Sequence, residues 1–209
     1  MVVSHSKKFL FFAFNKTGSS SIEGALRPYE STAAHNWLRL RYTLEHNPVI
    51  FKHVRPLEIQ RLMNRSKWDA YFKFCFVRNP FERLVSLYSY HRQGVPETHP
   101  LATKLTFEDW ISAGGSGSAQ RLMSEFVCDD AGKVIVDFIG RYEDLQSSFQ
   151  TVCDRLDIED RLPHLNRSRH AHYSTYYTDR ARREVEQRFA RDLEMFDYSF
   201  EHDTASVAG

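Results

Sequence analysis

Short apolar runs alternate along the chain with stretches whose apolar residues have helical spacing. The runs Phe9–Phe14, Val49–Val54 and Tyr71–Val77 are predicted to be strands, and a helix-like segment follows each of them. The first run is almost wholly apolar, which is typical of a strand covered on both faces in a parallel sheet. Strands that alternate with helices predict an α/β fold, with a mostly parallel central sheet flanked by helices.

Cap and turn residues indicate where the predicted helices begin. Asn79 is a good N-cap, Pro80 suits the first helical position, and Glu82 lies three residues after the cap. Further helices are predicted at Ser20–Leu26, at Pro56–Met63, at Glu143–Leu156 and from Thr178 onwards.

Turn-rich stretches occupy the second half of the chain. A hairpin around Asp129–Gly132 leads to a further strand, and the glycine-rich stretch Ala113–Gln120 is predicted to be a mobile loop over a site. Because no interdomain linker is visible, we expect one domain over residues 1–200 and a frayed tail over residues 201–209.

Composition narrows the class of protein. The chain has 209 residues, of which 42% are hydrophobic, so it can form a real core. Its formal charge of +1 argues against general affinity for nucleic acid. The three cysteines form no CxxC pair, which favours a reducing compartment. No stretch approaches the ~20 apolar residues of a membrane span, and a cytoplasmic location is expected.

A polar loop separates the first predicted strand from the first helix. It contains Lys16, Thr17, Gly18, Ser19, Ser20 and Ser21. Backbone N–H groups and the positive end of the helix dipole would point into this loop, and Lys16 adds a full positive charge. Gly18 lets the backbone approach a ligand closely. The loop predicts a cradle for phosphate or a similar oxyanion. The alternative is a serine-rich helix cap beside a solvated lysine.

A second basic element follows the strand that ends at Val77. Ser86 lies seven residues after the Asn79 cap, nearly two helical turns, so it faces the same way as the cap. Arg78 and Ser86 can therefore converge on one ligand group, and the guanidinium fork of arginine suits a terminal phosphate. The alternative is that Arg78 pairs with Glu82 and that Ser86 is a small packing residue.

The two elements together resemble a known family. The loop from Lys16 and the segment "FVRNPFERLVSLY" resemble the sulfotransferases that use 3′-phosphoadenosine 5′-phosphosulfate (PAPS), above all the carbohydrate sulfotransferases of the Golgi type and their bacterial counterparts. Later segments fit as well: "VDFIGRYEDL", "LPHLNRS" and "FDYSF". The resemblance extends from about Phe9 to Phe200.

The resemblance implies a P-loop-like α/β domain and a role for each element. Lys16–Ser21 would surround the 5′-phosphosulfate, whereas Arg78 and Ser86 would bind the 3′-phosphate. The acceptor would be a hydroxyl of a carbohydrate or small metabolite, the product would be adenosine 3′,5′-bisphosphate, and no metal would be required. Residues 166–169 are a candidate cover for the nucleotide, and the alternative is that they form a solvated loop. The acceptor itself and the oligomeric state cannot be inferred.

Lys16 and His53 are the predicted catalytic residues. Lys16 would stabilise the charge that develops on the departing phosphate. His53 ends a strand candidate, and ligands bind at the carboxyl ends of parallel strands. It also resembles the histidine that serves as base in uronyl 2-O-sulfotransferases, and histidine titrates near neutral pH. The alternatives are a packing or surface histidine, with an aspartate or glutamate as the base.

Two other functions compete with this hypothesis. A nucleotide-dependent kinase would need the loop GxxxxGK[ST] and a magnesium-binding aspartate, and neither stands at the expected place, since Lys16 precedes the glycine of its loop. A non-catalytic nucleotide-binding module is the third possibility. It is disfavoured by the presence of Lys16, Arg78, Ser86 and a candidate base.

Overall fold

The computed structural model describes residues 1–45, 51–93, 95–159, 161–162 and 171–201. Its sheet has the strands β1 (Val2–Ser4), β2 (Phe9–Phe12), β3 (Phe72–Val77) and β4 (Phe138–Arg141), in the order β1-β2-β3-β4. Strands β2, β3 and β4 run parallel, and β1 pairs antiparallel with β2. The predicted α/β fold with a mostly parallel sheet is therefore confirmed.

The register of the sheet brings the carboxyl ends of its parallel strands to one edge. Phe12 pairs with Cys75 between β2 and β3, and Val77 pairs with Arg141 between β3 and β4. All four residues of β2 are buried, as expected for a strand with neighbours on both sides and cover on both faces. The loop that begins at Ala13 therefore leaves the sheet at the edge where ligands bind in parallel α/β folds.

Helices connect the strands and extend beyond them. They are α1 (Ser19–Leu26), α2 (Thr32–Glu45), α3 (Pro56–Leu62), α4 (Arg65–Ala70), α5 (Pro80–Gln93), α6 (Pro100–Lys104), α7 (Phe107–Ser112), α8 (Gly117–Gln120), α9 (Met123–Val127), α10 (Leu145–Leu156), α11 (Asp179–Arg188) and α12 (Ala190–Phe196). The expected starts of α1, α3, α5, α10 and α11 are confirmed to within two residues. Within the described ranges, every helix is too short or too polar to cross a lipid bilayer.

The strand predicted at Val49–Val54 is wrong where the structure describes it. Residues 49 and 50 lie outside the described residues, and Phe51–His53 forms a 3₁₀-helix. The Val54 amide donates to the Phe51 carbonyl at 3.2 Å, which closes a turn. The Phe51 ring packs against His35 and Tyr42 of α2, with centroids 5.4 and 5.8 Å away. These residues therefore pack against α2 and do not pair with a strand of the sheet.

Two further expectations need correction. The last four residues of the predicted loop Ala113–Gln120 form α8, because the Ser116 side chain accepts a hydrogen bond from the Ala119 amide and caps that helix. The single long helix predicted from Thr178 is broken at Phe189, which is buried and has φ −107° and ψ 19°. Of the expected frayed tail, residues 202–209 lie outside the described residues.

The chain divides into two compact units, each with its own core. The sheet unit consists of Met1–Val77 and Glu125–Asn166, and the helical unit consists of Arg78–Ser124 and Arg167–Gly209. In the sheet unit, phenylalanines of β2 and β3 pack with α1 and with Phe149 and Val152 of α10. In the helical unit, Phe81 and Leu84 of α5 pack with Trp110 of α7.

Candidate active site

The loop between β2 and α1 has two residues in the left-handed region. Lys16 has φ 65° and Gly18 has φ 76°. A left-handed backbone costs an L-residue about 1–2 kcal/mol, so the local fold holds Lys16 in a conformation that it would not adopt alone. Thr17 is buried, and its hydroxyl donates to the Phe14 carbonyl at 3.1 Å. The loop therefore has a defined shape, with Lys16 half-exposed at its turn.

The N-terminus of α1 lies at the end of this loop and carries no side-chain cap. Gly18 occupies the cap position, and the first turn of α1 contains no acidic residue. The Gly18 carbonyl accepts from the amides of Ser21 and Ile22 at 3.0 and 3.2 Å. The amides before Ser21 have no helical carbonyl partner, as in every α-helix, and they carry the positive end of the dipole. The predicted anion cradle has the backbone geometry that such a site needs.

The serines of the loop differ in exposure. Ser19 and Ser21 are buried, whereas Ser20 is exposed. A glycine is required at position 18 for a reason that the sequence did not indicate. A Cβ there would lie 2.9 Å from Leu145 Cδ2 and 3.3 Å from Tyr142 Cδ2. The absence of a side chain at Gly18 therefore makes room for Leu145 at the start of α10, in addition to the room that it leaves for a ligand.

His53 lies beside this loop in the sheet unit. Its Nδ1 lies 2.9 Å from the carbonyl oxygen of Ala13, the first residue after β2. A carbonyl oxygen can only accept a hydrogen bond, so Nδ1 carries the proton of this bond. In the neutral ring the lone pair then lies on Nε2. The expected position of His53 at the end of a strand is wrong, but the structure brings it together with the predicted anion loop.

Arg78 and Ser86 belong to the helical unit. Arg78 follows β3 directly in the chain and is 2% exposed, and its Nη2 lies 2.6 Å from Glu82 Oε1. The pairing considered as an alternative is therefore present. Ser86 is buried on α5, which is covered on most of its surface. The Asn79 side chain accepts from the Phe81 amide at 3.1 Å, which confirms the predicted start of the helix.

A buried charged network in the helical unit was not found from the sequence. Arg83 is fully buried and donates to the carbonyls of Ser118 and Arg121 at 3.3 and 3.1 Å. Burial lowers the pKa of its guanidinium to about 10, and the nearby Asp192 carboxylate opposes this shift. Asp192 is also fully buried and accepts from the amides of Met123 and Ser124. Helical spacing places position 83 on the same face as Pro80 and Leu87, so its burial could have been inferred.

The model of the sulfotransferase family matches residues 1–199, which is nearly the entire chain. The chain belongs to the sulfotransferase family. The resemblance noted in the sequence is thereby confirmed, and the mostly parallel sheet with flanking helices agrees with it.

Individual relatives add little to the family assignment. An uncharacterized protein of Archaeoglobus fulgidus is 28% identical over 104 residues, which is 50% of this chain and 82% of that protein. No solved structure matches the chain. Membership of the sulfotransferase family supports an enzyme that transfers a sulfuryl group to a hydroxyl acceptor, and this family generally uses PAPS as the donor.

Proposed function

We propose that the chain transfers a sulfuryl group from PAPS to a hydroxyl of a carbohydrate or small metabolite. One observation carries the proposal. The loop after β2 contains Lys16 and leads to the uncapped N-terminus of α1, and His53 donates a hydrogen bond to Ala13 at the start of this loop. The fit is chemical, because a lysine and backbone amides suit a sulfated phosphate group, and a histidine suits deprotonation of a hydroxyl.

The two ends of the donor are assigned to different residues. Lys16–Ser21 would bind the 5′-phosphosulfate through backbone amides, serine hydroxyls and the Lys16 ammonium group. Arg78 and Ser86 would bind the 3′-phosphate. The ion pair with Glu82 would fix the orientation of the Arg78 fork, and the proposal requires the guanidinium to donate to the phosphate as well.

The proposed reaction is an in-line displacement at sulfur. The acceptor oxygen forms a new S–O bond, and the S–O bond to the donor phosphate breaks with its electron pair passing to that phosphate. His53 Nε2 takes the hydroxyl proton, and its Nδ1–H stays bonded to the Ala13 carbonyl. Lys16 stabilises the negative charge on the departing phosphate oxygen.

A transfer assay with radiolabelled PAPS and a panel of hydroxyl acceptors tests the activity. We expect labelled product with the unmodified protein and a loss of about 100-fold or more in Lys16→Ala, typical of removing a charge-stabilising group. Lys104→Ala is the matched control, because Lys104 is an exposed lysine at the end of α6 in the helical unit. If no acceptor is labelled although the bisphosphate product binds, the chain is a non-catalytic nucleotide-binding module.

A further inference from the structure

The backbone amide of Arg78 is held by a side chain that is distant in the sequence. It donates a hydrogen bond to Met123 Sδ at 3.5 Å, and both residues are buried in the helical unit. Arg78 stands between the last residue of β3 and the start of α5, so this bond acts at the turn that carries the arginine side chain. A thioether sulfur is a weak acceptor, and the contact can fix Arg78 only if Met123 is itself held in place.

The Asp192 carboxylate holds the residue that supplies this sulfur. Its Oδ2 accepts from the Met123 amide at 2.9 Å, and its Oδ1 accepts from the amide and the hydroxyl of Ser124 at 2.8 and 2.6 Å. Met123 and Ser124 are the first two residues of α9, and the first amides of a helix have no carbonyl partner within it. Asp192, which lies on α12, therefore satisfies these two amides from another helix.

The other end of segment 118–124 is also held by a buried charged side chain. Arg83 donates to the carbonyls of Ser118 and Arg121 at 3.3 and 3.1 Å. Ser86 lies three residues after Arg83 on α5, so the two are neighbours on one face of this helix. The segment is therefore tied at one end beside Ser86 and at the other end to the amide of Arg78, the two residues assigned to the 3′-phosphate.

We propose that Asp192 is a positioning residue for the 3′-phosphate and that it acts through Met123 on Arg78. The assignment rests on the proposed function, in which Arg78 binds this phosphate. Asp192 holds the Met123 amide, and the Met123 sulfur holds the Arg78 amide. Glu82 orients the guanidinium group of Arg78. Because its backbone and its fork are both fixed before the nucleotide arrives, Arg78 loses little conformational freedom on binding.

A purely electrostatic role of Asp192 would have the opposite effect on binding. Burial lowers the pKa of the Arg83 guanidinium to about 10, the Asp192 carboxylate opposes this shift, and the charge of Arg78 adds to it. These charges therefore interact, and removal of the carboxylate makes their surroundings more positive, which favours a phosphate. Weaker binding of the 3′-phosphate after the loss of Asp192 thus distinguishes positioning from electrostatics.

The variant Asp192→Asn removes one hydrogen bond of this chain of contacts. Because Oδ1 accepts two hydrogen bonds and Oδ2 accepts one, the amide NH₂ of the asparagine should face the Met123 amide, which then loses its acceptor. Calorimetric titration with adenosine 3′,5′-bisphosphate and with AMP gives the ratio of the two affinities. We expect this ratio to fall by about threefold or more, since AMP has no 3′-phosphate. Glu194→Gln, an exposed position on the same helix, is the control and should keep the ratio.

A double variant tests whether Asp192 acts through Arg78. In the Arg78→Ala background, Asp192→Asn should change the ratio no further, because the group that it positions is gone. A further fall in that background overturns the proposal. An unchanged or raised ratio in Asp192→Asn alone, including an equal loss of affinity for both nucleotides, also overturns it. The proposed function stands in these cases if the unmodified protein prefers the bisphosphate and Arg78→Ala loses this preference. If the unmodified protein has no preference, both proposals fail.

A second variant tests the same contacts if Asp192→Asn does not fold, as judged by circular dichroism. Met123→Leu removes the sulfur that accepts from Arg78 and nearly preserves the volume of the buried side chain. It should lower the ratio of affinities by about twofold or more. A ratio equal to that of the unmodified protein overturns the proposal.

Discussion

The imidazole Nδ1 of His53 lies 2.9 Å from the carbonyl oxygen of Ala13, a residue 40 positions earlier in the chain. This contact joins the 3₁₀-helix Phe51–His53 to the start of the anion loop. Because the carbonyl accepts a hydrogen bond from Nδ1–H, the neutral ring has its lone pair on Nε2. A histidine oriented in this way is suited to act as a general base in the proposed reaction.

His53→Ala should lower turnover by about 100- to 10,000-fold and leave binding of adenosine 3′,5′-bisphosphate unchanged. The reason is that His53 would act on the acceptor proton and not on the donor. Steady-state rates and calorimetric titration of the variant measure the two effects. His5→Ala is the matched control, because His5 belongs to the same unit but follows β1, whose Ser4 pairs with the first residue of β2. Near-normal turnover in His53→Ala would remove His53 from the mechanism.

Gly18→Ala should destabilise the protein by about 1–3 kcal/mol, because φ is 76° and the new methyl group would lie 2.9 Å from Leu145 Cδ2. Gly24→Ala should instead stabilise it by about 0.5–1 kcal/mol, because Gly24 lies inside α1 and a Cβ there meets no atom within 4 Å. Urea unfolding of both variants gives the two free energies. Equal effects of the two substitutions would contradict the described geometry of the loop.

Asp192→Ala should destabilise the protein by about 3–5 kcal/mol, since it removes a buried acceptor of three hydrogen bonds beside the buried Arg83. Glu194→Ala is the control, because Glu194 lies on the same helix and is exposed. Thermal unfolding monitored by circular dichroism compares the two. If the Asp192 variant unfolds at the same temperature as the Glu194 variant, the network makes no net contribution to stability.

His35→Gln should reduce the loss of stability below neutral pH. Burial lowers the folded-state pKa of His35 below its ordinary value of 6.5, so the unfolded chain binds the proton more readily. The free energy of unfolding therefore falls as pH drops through 6.5 towards the folded-state pKa. Urea unfolding of both proteins at pH 7 and pH 5 measures the difference. A larger loss of stability in the variant than in the unmodified protein would contradict this sign.

Parts of the fold with strong local patterns could be predicted from the sequence. The strand β2 could be predicted because its residues are all apolar, which suits a strand that is buried on both faces. The start of α5 could be predicted from Asn79, whose side chain caps the helix in the structure. The helix α2 was missed because only Leu38 and Tyr42 are buried, whereas Trp37, Leu40 and Leu44 are exposed and obscure the apolar stripe. The strand β1 has three residues, too few for a pattern.

The candidate site was predictable in its residue types and less so in its geometry. The sequence placed Lys16 and Gly18 in a loop after a strand, which the structure confirms. The bond between His53 and Ala13 depends on a long-range contact that replaces the expected strand. The ion pair between Arg78 and Glu82 was one of two possibilities that the sequence left open, and the structure contains it.

Calorimetric binding of adenosine 3′,5′-bisphosphate and AMP tests the central claim most directly. We predict that the unmodified protein binds the bisphosphate at least about tenfold more tightly than AMP, because only the bisphosphate has a 3′-phosphate to accept charge-assisted hydrogen bonds. Arg78→Ala should reduce this preference, and Lys16→Ala should weaken the binding of both nucleotides. Equal affinity for the two nucleotides, or an unchanged preference in Arg78→Ala, would contradict the account.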